Sequence, residues 1–365
     1  MTKPFFPRAK RHLAIFLPSL NGGGAEAVLL ALAKCFSEMG IRCDLIVARS
    51  KGELIDKAPR SVRLIKLKHD GTAGCSLELA RYLRREQPDA VLSSIFKANV
   101  RALLARIIAR SHARIVIRES NPIEHDTWSP NIWRKYFDRA VVSMLYPTAH
   151  AAICVSDDVR KSLSALKFVP QSKQVIIRNP IIDCVAQGDA IVDKSRPIIL
   201  ACGRLESQKD HATLLRAFAR VRRSRNVQLV LLGSGSLKGE LVQQAEELGV
   251  VGDVQFRGFV SNPFDYMLQA NVFVHTSRYE GCSNVLLQAL AAKCPIVATD
   301  CHGGVGEMLA GGRYGVLVPV GDDRSIAKAI IRILDGEARP VAEDDYLGEF
   351  DIDRIAVKYL SVLFD

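Results

Sequence analysis

Two short clusters hold the residues best suited to chemistry. The first is Gly203-Arg204-Leu205-Glu206-Ser207-Gln208-Lys209-Asp210, which follows the apolar run 198–202. Arg204 and Lys209 stand five residues apart across a strand-to-helix turn. From the carboxyl edge of a sheet, both cations can converge on one diphosphate. The second cluster, 277–307, opens on Glu280-Gly281 and places Cys282, Ser283 and Asn284 at the cap of a helix that starts near Val285. A helix start offers free backbone N–H groups and a positive dipole end, and these attract phosphate. An acid just before that start suits hydroxyl groups beside the anion. The chemistry indicated is the holding of a phosphate-bearing ligand that also carries hydroxyls.

The elements that must position these clusters follow a parallel βαβ rhythm. Around the second cluster the order is strand (271–276, NVFVHT), loop, helix (285–292), strand (294–299), then Gly303-Gly304 and a new helix start. In such folds ligands bind where strand carboxyl ends meet helix starts. The same alternation runs through the chain, with further strands expected at 12–19, 43–48, 62–67, 90–93, 115–118, 151–155, 198–202, 227–232, 254–256 and 314–320. Helices are expected at 27–39, 77–86, 99–109, 130–146, 211–223, 237–248, 325–334 and 352–363. The fold class is therefore α/β. Prolines and polar residues between 179 and 197 mark a boundary where the apolar periodicity lapses, giving two domains, 1–180 and 181–350, and a terminal helix, 351–365.

Within the first domain the loop LNGGGAE, with Gly23 and Gly24, has strand–glycine–helix order. It reads equally as a phosphate cradle and as a tight turn, and it lacks the Lys-Ser/Thr pair of an ATPase loop. The strand at 115–118 ends in Arg118-Glu119-Ser120-Asn121-Pro122, with His125 six residues after Glu119. Charged, cap-forming residues at a strand's carboxyl end make Glu119 and His125 alternative candidates for the reaction centre. Helix 130–146 sets Trp133, Tyr136 and Phe137 beside Arg134, Lys135 and Arg139. Such a helix can lie on a membrane, or bury its aromatic side in a core.

The 365 residues carry 50 Lys and Arg against 39 Asp and Glu, a net charge of +11. Residues 1–180 hold 30 basic and 15 acidic side chains; residues 181–365 hold 20 and 24. The excess thus lies wholly in the first half, which suits an anionic surface or lipid phosphate. Nine scattered cysteines without a CxxC pair suggest reduced thiols of a cytoplasmic protein, with no disulfide framework and no zinc. No run approaches the ~20 apolar residues of a membrane span. The basic and then apolar start reads as a first strand rather than a signal peptide.

The residues Glu280, Gly281, Ala289, Ala291, Pro295, Val297, Gly303, Gly304 and Glu307 resemble the signature of retaining glycosyltransferases of the GT-B fold, family 4 (glycosyl transferases group 1). Gly203-Arg204-Leu205 followed by Lys209 is similar to that family's diphosphate-binding pair, and the glycine loop at 20–26 is typical of it. The resemblance implies two Rossmann-like domains facing each other across a cleft, the first serving the acceptor and the second the nucleotide sugar. The last helix is then expected to cross back to the first domain. Glu280 is implied to bond the donor hexose, Gln288 the ribose, and Gly258, Phe259 and Val260 the nucleobase. Gln288 departs from the pattern, which has an acid there. With no Asp-x-Asp at a strand end, the charge of the leaving diphosphate falls to Arg204, Lys209 and helix amides, and neither metal nor cofactor is expected. The expected activity is transfer of a hexose or N-acetylhexosamine from a nucleotide sugar, UDP by family base rate, to an envelope glycan or lipid-linked acceptor. The expected place is the cytoplasm, peripheral on the inner face of the membrane, and nucleic acid is not an expected partner. Two rivals stand beside this: a sugar-nucleotide 2-epimerase, and a non-catalytic membrane- or nucleic-acid-binding protein.

Overall fold

A computed structural model describes residues 11–21, 23–48, 54–123, 132–182, 184–188, 193, 195–338 and 340–365, without the side chains of 132–135 and 137. The chain forms two compact units, Met1–Pro180 with Phe350–Asp365, and Ile181–Glu349.

The first unit is built on seven parallel strands: β1 (His12–Leu17), β2 (Arg42–Val47), β3 (Arg63–Lys66), β4 (Ala90–Ser94), β5 (Arg114–Glu119), β6 (Ala151–Cys154) and β7 (Gln174–Ile176), in the order β3-β2-β1-β4-β5-β6-β7. All of β1 and β4 is buried, because helices cover both faces of the sheet. That is why these strands read as unbroken apolar runs rather than alternating ones. β5 runs one residue further than the apolar pattern indicates and takes in Glu119. β7 has only three residues, and the apolar run that marks it, Val175-Ile176-Ile177, is too short to be read as a strand. The terminal helix Ile352–Phe364 belongs to this unit. Asp351 caps it, accepting a hydrogen bond from the Arg354 amide at 3.0 Å. Its Tyr359 is buried, with the ring 6.4 Å from that of Phe36.

The second unit has six parallel strands: β8 (Ile198–Cys202), β9 (Gln228–Leu232), β10 (Val254–Gly258), β11 (Val272–His275), β12 (Ile296–Thr299) and β13 (Val316–Val318), in the order β10-β9-β8-β11-β12-β13. Its core joins Ile199, Leu229, Leu231, Val274 and Val297 of the sheet to Leu214, Leu215 and Phe218 of helix His211–Arg222 and Ile326 and Ile330 of helix Asp323–Leu334. Each sheet reverses its strand order once, between β1 and β4 and between β8 and β11. A doubly wound sheet opens its crevice at that reversal, beyond the strand carboxyl ends. In the second unit the loops leaving the reversal are those after β8 and β11, and these carry the two clusters singled out above.

Candidate active site

The loops after β8 and β11 are bonded to each other along their length. Gln208 Nε2 donates to the Tyr279 carbonyl at 3.0 Å, the Arg278 amide to the Gln208 carbonyl at 2.8 Å, and Thr276 Oγ1 to the Lys209 carbonyl at 2.8 Å. Arg204 reaches Gln208 Oε1 through a guanidinium nitrogen at 3.0 Å. The β8 loop needs glycine close by: Gly233, with φ at +133°, passes so near that a Cβ would lie 1.9 Å from the Gly203 carbonyl oxygen. Asp210 ends the loop in the left-handed region (φ 48°), and its carboxylate caps helix His211–Arg222.

At the centre Lys209 Nζ forms an ion pair with Glu280 Oε1; the two side chains are 14% and 7% exposed. The same oxygen accepts from Ser277 Oγ at 2.7 Å and lies 3.3 Å from His275 Nε2. That ring nitrogen is also 3.1 Å from Ser283 Oγ. Burial alone would raise the Glu280 carboxyl; Lys209 and His275 outweigh it and hold it well below the usual carboxylate range. Glu280 is therefore an ionised acceptor at any physiological pH and cannot give up a proton as a general acid. The thiols nearby are inert: burial pushes Cys202 up to about 12, and burial with the charge of Glu280 does the same to Cys301.

Ser283 occupies the N-cap position of helix Asn284–Ala291 without a capping hydrogen bond from its side chain; Asn284 and Val285, in the first turn, are half-buried, and the Cys282 thiol lies 3.7 Å from Met308 Sδ. Gln288 is buried on the same helix. Gly258 closes β10 with φ at +73°, and its carbonyl accepts from the Gly233 amide at 2.7 Å. Phe259 beside it is 56% exposed and Val260 half-buried. Arg204, Lys209, Glu280 and the 282–285 cap thus share one end of the second sheet. His275 and Ser277 were not singled out in the sequence. Their only signal was a histidine inside an otherwise apolar strand.

His211 lies just behind this loop. It is 5% exposed, and its ring nitrogens face the Gly203 and Arg204 backbone too loosely for a hydrogen bond. Burial, with the Lys209 charge nearby, pushes its pKa down to about 4, so it is neutral in the folded protein. A depressed pKa means stability that is complete above the unfolded value of about 6.5 and is lost as pH falls towards 4, by about 3 kcal/mol. We expect His211→Leu to flatten that slope in urea-unfolding midpoints measured from pH 4 to 7. An unchanged slope would place its origin elsewhere.

The strand ends of the first unit carry a second polar assembly. The Glu119 carboxylate, 4% exposed, accepts from Asn99 Nδ2 at 2.8 Å and Tyr146 OH at 2.7 Å, and Ser93 Oγ donates to Asn99 at 2.8 Å. Arg118 is fully buried and donates to Tyr359 OH (2.9 Å), Ser94 Oγ (3.0 Å), Ser120 Oγ (2.5 Å) and Asn179 Oδ1 (2.5 Å). Glu119 thus anchors the end of β5 from inside the fold. His125 lies outside the described residues. Gly23 is the cap of helix Gly24–Glu38, and its amide donates to Glu26 Oε2 at 3.0 Å while Ser19 Oγ donates to Oε1 at 2.7 Å. Gly24 is the first residue of that helix. At the β4 end Ile95 holds φ at +76°, a strained value for a β-branched residue and one with no signal in the sequence.

Residues 196–336 match the family described as glycosyl transferases group 1, and residues 22–183 match glycosyltransferase family 4. The N-acetylgalactosamine-N,N'-diacetylbacillosaminyl-diphospho-undecaprenol 4-alpha-N-acetylgalactosaminyltransferase of Campylobacter jejuni is 30% identical over 340 residues, spanning 90% of this chain and 91% of its own. The lipopolysaccharide core biosynthesis glycosyltransferase LpsE of Rhizobium meliloti is 33% identical over 172 residues, 46% of this chain and 49% of its own. Among solved structures, Anabaena HepE in complex with UDP and glucose superposes with a TM-score of 0.80 at 21% identity, over 97% of this chain and 99% of that one. With two parallel α/β sheets, matches to both family descriptions and a relative aligned over nine-tenths of its length, the chain belongs to glycosyltransferase family 4 of the GT-B fold and is a glycosyltransferase.

Proposed function

We propose that the enzyme is a retaining, metal-independent glycosyltransferase that moves a hexose or N-acetylhexosamine from a UDP-sugar to a lipid-linked or envelope glycan. The observation that carries this reading is the buried Lys209–Glu280 pair at the strand reversal of the second sheet, beside Arg204 and the start of helix Asn284–Ala291. The donor's diphosphate competes with Glu280 for Lys209, and Arg204 takes the other side of it. Glu280, released but still ionised, accepts from the donor hexose hydroxyls. Amides at the 282–285 cap add to the positive field. Gln288 meets the ribose, and Gly258, Phe259 and Val260 meet the base. The anomeric C–O bond to the diphosphate breaks as the acceptor oxygen bonds to the same face of that carbon. The acceptor's proton passes to the leaving phosphate. Residues 181–350 serve the donor, and the first unit with helix 351–365 serves the acceptor, with the Gly23-Gly24 turn at its β1 end and Glu119 holding the β5 end in place.

Support for the acceptor class comes from relatives: the Campylobacter enzyme is named for a diphospho-undecaprenol acceptor and LpsE for lipopolysaccharide core. HepE was solved with UDP and glucose. Among the described residues no helix is long and apolar enough to cross a membrane. The basic first half and the exposed Tyr136 and Met144 of helix Ile132–Leu145 support peripheral contact with an anionic inner membrane face.

A thermal-shift screen with UDP, GDP, ADP and their sugars tests the donor. At a hundred times Kd, binding adds about 2.7 kcal/mol. We expect UDP alone to give that rise, EDTA to leave it unchanged and Arg204→Ala to abolish it. A response to another base would correct the donor, and no response to any nucleotide would overturn the reading. NMR of the product then reads the anomer, and an inverted one excludes retention.

A further inference from the structure

Gln288 stands where the family pattern has an acid, and its surroundings supply a reason. Its amide nitrogen donates to the Ile182 carbonyl oxygen at 3.1 Å in a buried position. Ile182 is the second residue of the second unit. The chain beyond it is held by two further side chains of that unit. Asn262 Nδ2 donates to the Val185 carbonyl at 3.1 Å, and the Gln187 amide donates to Asp265 Oδ1 at 3.0 Å. An ionised carboxylate has no proton to give, so at position 288 it would set one acceptor against another. An amide gives the proton with one end and keeps an acceptor at the other. Oε1, the other end, has no partner among the described residues.

We propose that Gln288 is a positioning residue that latches the entry segment of the second unit to helix Asn284–Ala291, with its oxygen thereby fixed as an uncharged acceptor for a hydroxyl of the donor's nucleoside. The latch stands on geometry alone; the second half rests on the function proposed above. The latch explains the departure from the acid. In this chain the segment that opens the donor-binding unit is tied to the helix whose start faces the donor, and only a neutral donor–acceptor side chain serves both.

Hydrogen exchange of peptides covering 181–187 reads the latch without turnover. We expect Gln288→Met to speed exchange there about tenfold at both pH 5 and pH 8, the worth of one buried hydrogen bond. Gln288→Glu behaves differently. Burial raises a carboxyl pKa, so at pH 5 the protonated acid can still donate and exchange stays near the unsubstituted protein's at that pH. At pH 8 the charged form cannot, and exchange rises as in the methionine variant. Titration calorimetry with UDP should show about tenfold weaker binding by Gln288→Met. Unchanged exchange in Gln288→Met overturns the latch. So does a Gln288→Glu protein matching the unsubstituted one at pH 8 while binding UDP as tightly or more tightly. If Gln288→Glu does not fold, the methionine variant decides. If the unsubstituted protein binds no UDP but exchange responds as described, the latch stands and the donor reading falls.

Discussion

Replacing Lys209 by methionine is expected to remove turnover while both units stay folded. The substitution keeps the length of the stem, which packs over Gly203 so closely that a Cβ there would lie 3.2 Å from Lys209 Cδ. It deletes only the ammonium. In the proposed reaction that ammonium faces the departing diphosphate, and loss of one such preorganised group lowers kcat by about 10²–10³. It also leaves the Glu280 carboxylate buried with Ser277 and His275 as its remaining partners. Removing one member of a buried ion pair costs about 3–5 kcal/mol, less whatever protonation recovers. In the unsubstituted protein the Glu280 carboxyl is held low, so its contribution to stability is present above the unfolded value of about 4.3 and is lost as pH falls below that. Without Lys209 the sign reverses, and the protein should lose stability as pH rises from 4 to 8. Adding Glu280→Gln should restore much of the melting temperature and none of the activity. That separation is the informative result, because a purely structural pair would recover both together. A Lys209→Met enzyme within tenfold of full turnover sinks the catalytic role.

The double variant also marks where the sequence stopped being readable. Arg204, Lys209 and Glu280 are visible there because each follows an apolar strand, and a strand's carboxyl end is where an α/β fold keeps its polar groups. That Lys209 and Glu280 touch is not visible, since they stand 71 positions apart and two other strands, β9 and β10, come between their own in the chain. The contact follows only from the strand order, which makes β8 and β11 neighbours. The same holds in the first unit. Glu119 reads as a functional acid from its place after β5's apolar run, yet its carboxylate is taken up by Asn99 and Tyr146, from helices before and after it in the chain. Tyr146 is itself the end of a run that reads as membrane-facing or core, and in the structure it is fully buried. Gln288 shows the limit most plainly. Its departure from the family pattern is legible at once, but its partner is a backbone carbonyl 106 residues earlier, and no pattern of side chains announces a carbonyl.

Gly303 to alanine is the second substitution with a large expected effect, and here the main chain carries the argument. Gly303 has φ at +114°, and an added Cβ would fall 1.3 Å from the carbonyl oxygen of Glu280 and 2.5 Å from its carbonyl carbon. The atoms it meets are backbone and cannot swing aside. The neighbouring contacts show what would have to move: Tyr279 bridges to His302, and the Glu280 amide donates to the His302 carbonyl at 2.9 Å. These hold the Glu280 main chain from one side, as Lys209, Ser277 and His275 hold its carboxylate from the other. To admit a methyl group the 279–280 and 302–303 segments must part. The bridge then breaks and the acid moves off its position, which costs upwards of about 3 kcal/mol. Turnover should fall with it, because a displacement of 1 Å at a positioned group is worth about 10²-fold. Gly311 provides the control. It also has positive φ, +66°, but nothing lies within 4 Å of a Cβ there, so Gly311→Ala should cost only the left-handed strain, about 1–2 kcal/mol, and leave kcat alone. If the two alanine variants melt together and turn over alike, the close approach at Gly303 is not what fixes Glu280.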